Sequence, residues 1–284
     1  MKPDTNQQLK IGELPQLQIV PIERVIFHEE NDPERTGQLA GQLRKEAILK
    51  NPPVVSPHPG NGKFILLDGA NRLMALESLG IPDALVQVIE LSDPGLRLQT
   101  WHHAIEHLGK DSLLNTLGAM PGISLGHSSP AAVKPIHHNS VLCRLQFHDA
   151  TVYEVAARRS LTECLEDLRA ITAVYRGFRF MDRVSYTNLD HLKKNYPAFS
   201  GLITFRTITK DDILEIASKG LRIPSGITRI VLPKRALRVN IPLDILRFDA
   251  LTAEKNHWLR KRIDEQIKQK SIRFYNEPTF LFDE

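Results

Sequence analysis

The chain has 284 residues, 42% hydrophobic and 25% charged, and its formal net charge is +4. These are the proportions of an ordinary globular protein of one or two domains; no apolar run is long enough to cross a bilayer, and the polar start lacks the apolar core of a signal peptide. Its two cysteines, Cys143 and Cys164, sit in no C-x-x-C pair, which argues against a disulfide framework or structural zinc and for a reduced, cytoplasmic protein.

Residues 1–16 read as a polar tail. Residues 17–20 predict a first strand. Residues 33–45 predict a helix, with Asp32 as cap and Pro33 at its first position. Strands at 53–57 and 63–67 are joined through Gly60-Asn61-Gly62, a hairpin-type turn. A helix follows over 70–79, stopped by Gly80, and then a strand over 84–89. Residues 96–105 alternate as one long strand, with Trp101 and His103 on one face and His102 on the other. The Gly-, Pro- and Ser-rich segment 118–135 reads as a linker or mobile loop. Beyond it, 141–147 and 151–155 predict a hairpin around His148-Asp149. Capping boxes at Ser160/Glu163 and Thr209/Asp212 open two helices, the second ending at Gly220. Strands 226–231 and 237–241 pair around Pro233-Lys234-Arg235, and 252–270 is a long amphipathic helix. The expected class is α/β (α+β), with an N-terminal domain over 17–117, a second α+β domain over 136–284 and an active cleft between them.

The segment with most chemical content is Phe64-Ile65-Leu66-Leu67-Asp68-Gly69-Ala70-Asn71-Arg72. An apolar strand delivers an acid to a glycine turn at a helix start. A helix N-terminus presents unpaired N–H groups and a partial positive charge, which suit a phosphate, and Arg72 adds a planar cation. Asp68 is acidic at the same place, so it faces a metal or a hydroxyl rather than the phosphate. D-G-x-x-R has three fixed positions and occurs by chance; the strand-turn-helix-strand around it is what gives it weight. On residue type alone, Glu29-Glu30 is a solvated loop pair and Trp101 a core residue. His137, His138 and His148 have no metal-ligand spacing. The basic clusters Lys193-Lys194 and Arg260-Lys261-Arg262 read as solvated helix faces, so specific nucleic-acid binding is not expected.

The pattern resembles the ParB/sulfiredoxin superfamily, which carries a G-x-x-R phosphate motif in such a turn. Further stretches resemble the free L-serine kinases of that superfamily: Val20-Pro21-Ile22, His28-Glu29-Glu30, Thr100-Trp101-x-His103, Ile223-Pro224-Ser225-Gly226-Ile227-Thr228-Arg229 and Leu237-Arg238-Val239-Asn240-Ile241-Pro242-Leu243. The resemblance implies a ParB/sulfiredoxin-like N-terminal domain and transfer of a phosphoryl group from ATP or ADP to the L-serine hydroxyl. It makes Glu29 the base, with Glu30 the alternative for a one-residue slip. Asp68, Gly69, Ala70, Asn71 and Arg72 would bind nucleotide, and Asp68 would hold Mg2+ directly or through water. Trp101, His103, Ser225, Thr228 and Arg229 would bind the acceptor, Arg229 as a carboxylate clamp. Those kinases have histidine where this chain has Asn71, which cannot carry charge or move a proton. Sulfiredoxins have their catalytic cysteine in this turn; Ala70 cannot be a nucleophile, so that chemistry is excluded. A ParB-like DNA-binding or regulatory protein and a kinase of another small hydroxylated amino acid are the rival readings. The first requires a helix-turn-helix and a basic recognition face, and the sequence has neither.

Overall fold

The computed structural model describes residues 14–128, 136, 140–157, 160–176 and 181–275. The chain begins with β1 (Gln16–Pro21), β2 (Val25–Phe27), α1 (Pro33–Glu46), β3 (Ile48–Leu49), β4 (Val54–Pro57), β5 (Phe64–Asp68), α2 (Ala70–Ser78) and β6 (Asp83–Val88). Asp32 caps α1 by accepting from the Glu34 and Arg35 amides, with Pro33 at the first position, as the sequence predicts. Five strands form a mixed sheet in the order β1-β6-β4-β5-β2. Strand β5 runs antiparallel to β4 and parallel to β2.

The apolar run of β5 has a specific cause. Phe64 and Leu66 enter one hydrophobic core and Ile65 and Leu67 enter another. Successive strand residues point to opposite faces, so a strand covered on both faces is apolar throughout. Asp68, the last residue of β5, therefore emerges at the seam between the two cores.

The elements that follow are β7 (Arg97–Thr100), β8 (His102–Glu106), α3 (Lys110–Gly118), β9 (Ser124–Ser128), β10 (Val141–Phe147), β11 (Val152–Ala156), α4 (Leu165–Arg176), β12 (Met181–Val184), α5 (Leu189–Asn195), β13 (Phe199–Phe205), α6 (Lys210–Ser218), β14 (Thr228–Val231), β15 (Ile241–Pro242), α7 (Leu243–Arg247) and α8 (Thr252–Lys268). A six-stranded sheet has the order β12-β8-β13-β10-β11-β9. Leu165, Leu168, Ile171 and Tyr175 of α4 and Ile213 and Ile216 of α6 share its core with Ile65 and Leu67. Helix α8 returns to the first sheet. The Asn256 side chain accepts from the Ile19 amide at 2.9 Å and donates to the Ile19 carbonyl at 2.8 Å, occupying backbone groups of the edge strand β1. The mixed α/β class matches the expectation.

Several expectations need correction. Residues 96–105 are not one strand: β7 pairs with β14, whereas β8 lies in the six-stranded sheet between β12 and β13. The chain changes partners at Trp101, whose amide donates to the Ile227 carbonyl at 2.9 Å. Segments 226–231 and 237–241 do not pair with each other; β15 pairs with β3. Arg238 and Asn240 take φ of 51° and 54°, which breaks the extended chain, and the Gln87 side chain holds the Lys234 carbonyl and the Ala236 amide instead. Segment 118–135 is not wholly a linker. Gly118 closes α3, and β9 pairs residue by residue with β11; its small, polar composition gives no alternation to read. The expected boundary between 117 and 136 is crossed by β8, β14, β15 and α8. Residues 1–13 of the tail, 129–135 of the linker, and His137 and His138 lie outside the described residues.

Candidate active site

A cavity of about 580 Å³ opens where β5 ends, walled by α1, the start of α2, and the stretch from Ser225 to Ile230. Two local structures build it. At one end Gly69 is the N-cap of α2 with φ 98°, and it has no side chain with which to cap the first turn. A Cβ there would sit 3.0 Å from Pro53, so both conformation and space call for glycine. At the other end the segment from Ile223 to Thr228 lies against the loop after β2. The Ile223 amide donates to the His28 carbonyl at 2.8 Å, and the Glu30 amide to the Ile223 carbonyl at 2.9 Å.

That pairing fixes Glu29. Its carboxylate accepts from the Gly226 amide and, at 3.2 Å, from the Thr228 amide. Each oxygen keeps a further lone pair. Burial pushes the Glu29 carboxyl up to about 8, against the two amide bonds and the nearby Arg183 charge, which pull it down. His28 sits behind it. Nδ1 faces the Leu66 carbonyl and must carry the proton, so Nε2 accepts from the Thr228 hydroxyl at 3.2 Å. Burial lowers His28 to about 4, so the ring is neutral.

Asp68 lies across the cavity. Burial works to raise its pKa, but Arg235 and Arg72 outweigh it and hold the carboxyl below the usual carboxylate range. Arg72 Nη2 donates to Asp68 at 3.1 Å and Nη1 to the Asn51 carbonyl at 3.1 Å; Arg235 donates to the same Asp68 oxygen. Arg72 thus anchors Asp68 and the Asn51–Pro52 backbone while lining the cavity. The Asn71 oxygen accepts from the Asp32 amide at 2.7 Å and the Thr36 hydroxyl at 3.3 Å, tying the starts of α1 and α2 together. Gly69, Ala70 and Asn71 all line the cavity.

Trp101, Ser225, Thr228 and Arg229 also line it. The Arg229 guanidinium stacks over Trp101 at 5.0 Å and bonds Gln99. His103 does not reach the cavity. It is fully buried, donates from Nε2 to the Gly226 carbonyl at 2.9 Å and accepts on Nδ1 from the Tyr175 hydroxyl at 2.8 Å. Its expected place in the acceptor pocket is corrected: it braces Gly226 from below, because the change of partners at Trp101 turns the two side chains to different surroundings. Burial holds His103 at about 4, neutral and fit for that relay.

Glu30 is turned to α4, where Arg169 donates to it at 2.7 Å. This half-exposed pair contributes little, so Glu30→Gln should change stability by less than about 1 kcal/mol and leave turnover within about threefold, read by thermal melts and steady-state rates. Arg183 and Arg235 are cavity residues that the sequence reading missed; neither belongs to a motif, and only the fold brings them to Glu29 and Asp68.

Among the described residues no group of three or more His, Cys, Asp or Glu side chains is arranged to hold a metal ion. Asp68, ionised at the start of α2, is a carboxylate that could take part in holding a divalent cation. No described helix is long and apolar enough to cross a membrane.

No protein-family profile matches the chain. It is similar, at 20% identity over 94% of its length and 97% of the relative's, to a protein of Staphylococcus aureus described as the ATP-dependent L-serine kinase SbnI. A protein of Staphylothermus marinus described as an ATP-dependent L-serine kinase is 24% identical over 81% of this chain and 90% of its own. Among solved structures, SbnI with a C-terminal truncation from Staphylococcus aureus superposes with a TM-score of 0.70 at 20% identity, covering 88% of this chain and 96% of that one. A free serine kinase in complex with AMP gives 0.69 at 15% identity over 81% and 93%. The fold is the one these structures share.

Proposed function

We propose that this chain is a free L-serine kinase, transferring the terminal phosphoryl group of ATP to the serine hydroxyl to give O-phospho-L-serine and ADP. One observation carries the reading: a single cavity holds a half-buried carboxylate bound by two backbone amides and, with it, a helix N-terminus without a side-chain cap and an ionised aspartate beside it. Phosphoryl transfer needs those parts, a group to take the hydroxyl proton and a cradle for phosphates. The names of the full-length relatives supply the acceptor.

In this reading the start of α2, with Ala70 and Asn71, would take the phosphates, and Asp68 would hold Mg2+. When bound, the ion neutralises charge on the phosphate oxygens. Glu29 takes the proton from the serine hydroxyl as the oxygen–phosphorus bond forms and the bond to the ADP oxygen breaks. Trp101, Thr228 and Ser225 wall the acceptor in. The Thr228 hydroxyl donates to His28 Nε2, which leaves its oxygen free to accept a hydrogen bond such as one from the serine ammonium group. The two buried thiols, Cys143 and Cys164, support a cytosolic location.

Phosphorus NMR of the purified protein with Mg2+ and L-serine tests the reading, with ATP and ADP in parallel. A phosphoserine resonance should grow as the terminal phosphate of the nucleotide is lost. Turnover of threonine or homoserine in place of serine would redirect the assignment to another hydroxylated amino acid, and no product with either nucleotide would defeat it.

The rate should also depend on pH in a stated direction. Glu29 is largely protonated below about 8 and must be ionised to act as base, so kcat/KM should climb with pH and level off above about 8. His28, held near 4, does not titrate in that window. A flat profile between pH 6 and about 9 would remove Glu29 as the base. Stability moves the opposite way: the raised carboxyl favours the folded state while protonated, so its contribution falls as pH rises from about 4.5 towards 8.

A further inference from the structure

Arg183 stands on β12, the edge strand of the six-stranded sheet, opposite His103 in the register. Its guanidinium lies directly over Gly226, so close that a Cβ on that residue would overlap it. Gly226 is also the residue whose amide holds Glu29, which places the guanidinium beside the carboxylate. The side chain is half-buried and lines the cavity.

The other half-buried guanidiniums of the cavity have protein acceptors. Arg72 and Arg235 bond Asp68, and Arg229 bonds Gln99. Among the described residues, none accepts a hydrogen bond from the Arg183 guanidinium; Glu29, its nearest anion, directs its oxygens to the Gly226 and Thr228 amides. An arginine stays charged at any accessible pH, so a half-buried one without an acceptor is a site for a planar anion.

Position selects the anion. Arg72 and Arg235 gather at Asp68 and the start of α2, the phosphate end. Arg183 sits at the Glu29 end. In L-serine the carboxyl carbon is three bonds from the hydroxyl oxygen, so the group that grips the carboxylate must stand beside the base. We infer that Arg183 binds the carboxylate of the amino-acid acceptor and is the residue that makes the enzyme select amino acids over other small alcohols. This rests on the kinase reading above. Arg229, the clamp expected from the sequence, donates from Nη1 to Gln99 and lays its face on Trp101, farther along β14 from the Gly226 amide that holds Glu29.

The test compares L-serine with L-serinamide, which keeps the hydroxyl and amine but has no carboxylate, in an assay of ADP release from ATP. The wild-type protein should prefer serine by about a thousandfold in kcat/KM, since a site built for a charged group rejects an analogue lacking it. In Arg183→Ala the serine value should fall by about a hundredfold to a thousandfold and the serinamide value should stay within about threefold, so that discrimination collapses. Calorimetric titration with ADP reports whether the variant is folded. If the alanine variant does not bind ADP, Arg183→Lys answers the same question: it keeps the charge without the planar fork and should lose about tenfold on serine and nothing on serinamide. Equal losses on both acceptors would place Arg183 at the transferring phosphoryl group and overturn the proposal, as would unchanged kinetics. A wild-type protein that phosphorylates neither compound defeats the kinase reading itself, a result distinct from either of these.

Discussion

Glu29→Gln should lower kcat by two to four orders of magnitude, about the contribution of a positioned base, while ADP binding stays near normal. Glutamine has nearly the same shape. Its single oxygen can still accept from one of the Gly226 and Thr228 amides, so the loop should keep its place, but an amide cannot take a proton from a hydroxyl. Burial already costs the ionised carboxylate, so the variant should also melt higher than the wild type at pH 8 and above, where that charge is present. Steady-state rates, ADP calorimetry and thermal melts at pH 6 and pH 9 distinguish the cases. A rate near wild type would take Glu29 out of the chemistry; loss of ADP binding would show a structural role instead.

Gly226→Ala should be almost as damaging, through geometry alone. Gly226 has φ 79°, where an alanine is strained, and its missing Cβ leaves the space that Arg183 fills. Its amide holds Glu29 and its carbonyl receives His103. Relief of the clash must move the backbone, the guanidinium or both. We expect a loss of about 1–3 kcal/mol of stability and about a hundredfold or more in kcat/KM. Gly80→Ala is the matched control. Gly80 has φ 67° with nothing within 4 Å of the added Cβ, so it should cost about 1 kcal/mol and leave the rate alone. Equal effects of the two substitutions on the rate would mean that Gly226 does no more than turn the chain.

The end of the cavity proposed for phosphate can be read from sequence because its parts are contiguous: strand, acid, glycine and helix follow one another from Phe64 to Arg72, and local chemistry dictates their geometry. The end proposed for the acceptor was expected only through resemblance. Glu29, Gly226 and Arg183 meet through the pairing of distant segments, and nothing near Arg183 in sequence marks it. The same limit explains the strand errors. Residues 96–105 alternate well enough for one strand, but alternation reports burial and not the identity of the partner, and the partner changes at Trp101. His103, given to the acceptor pocket by the resemblance and to the face of Trp101 by alternation, is buried outside the cavity. The two halves of the chain share a core through β5, at a place the sequence signals. Four consecutive apolar residues in β5 mean a strand covered on both faces, and the second covering is the other half of the chain.

The bond between Glu29 and the Gly226 amide joins residues 197 positions apart. Contacts of that span form late, because the closure entropy of the intervening loop must be overcome first. During synthesis Arg72 can meet Asp68 early, whereas Arg235, the other partner of Asp68, and the Gly226 amide that holds Glu29 arrive only when about four-fifths of the chain is made. A growing chain is thus expected to complete both ends of the cavity together and late. A premature stop just ahead of Gly226 should leave neither end of the cavity complete, since it removes Arg235 along with the Gly226 amide.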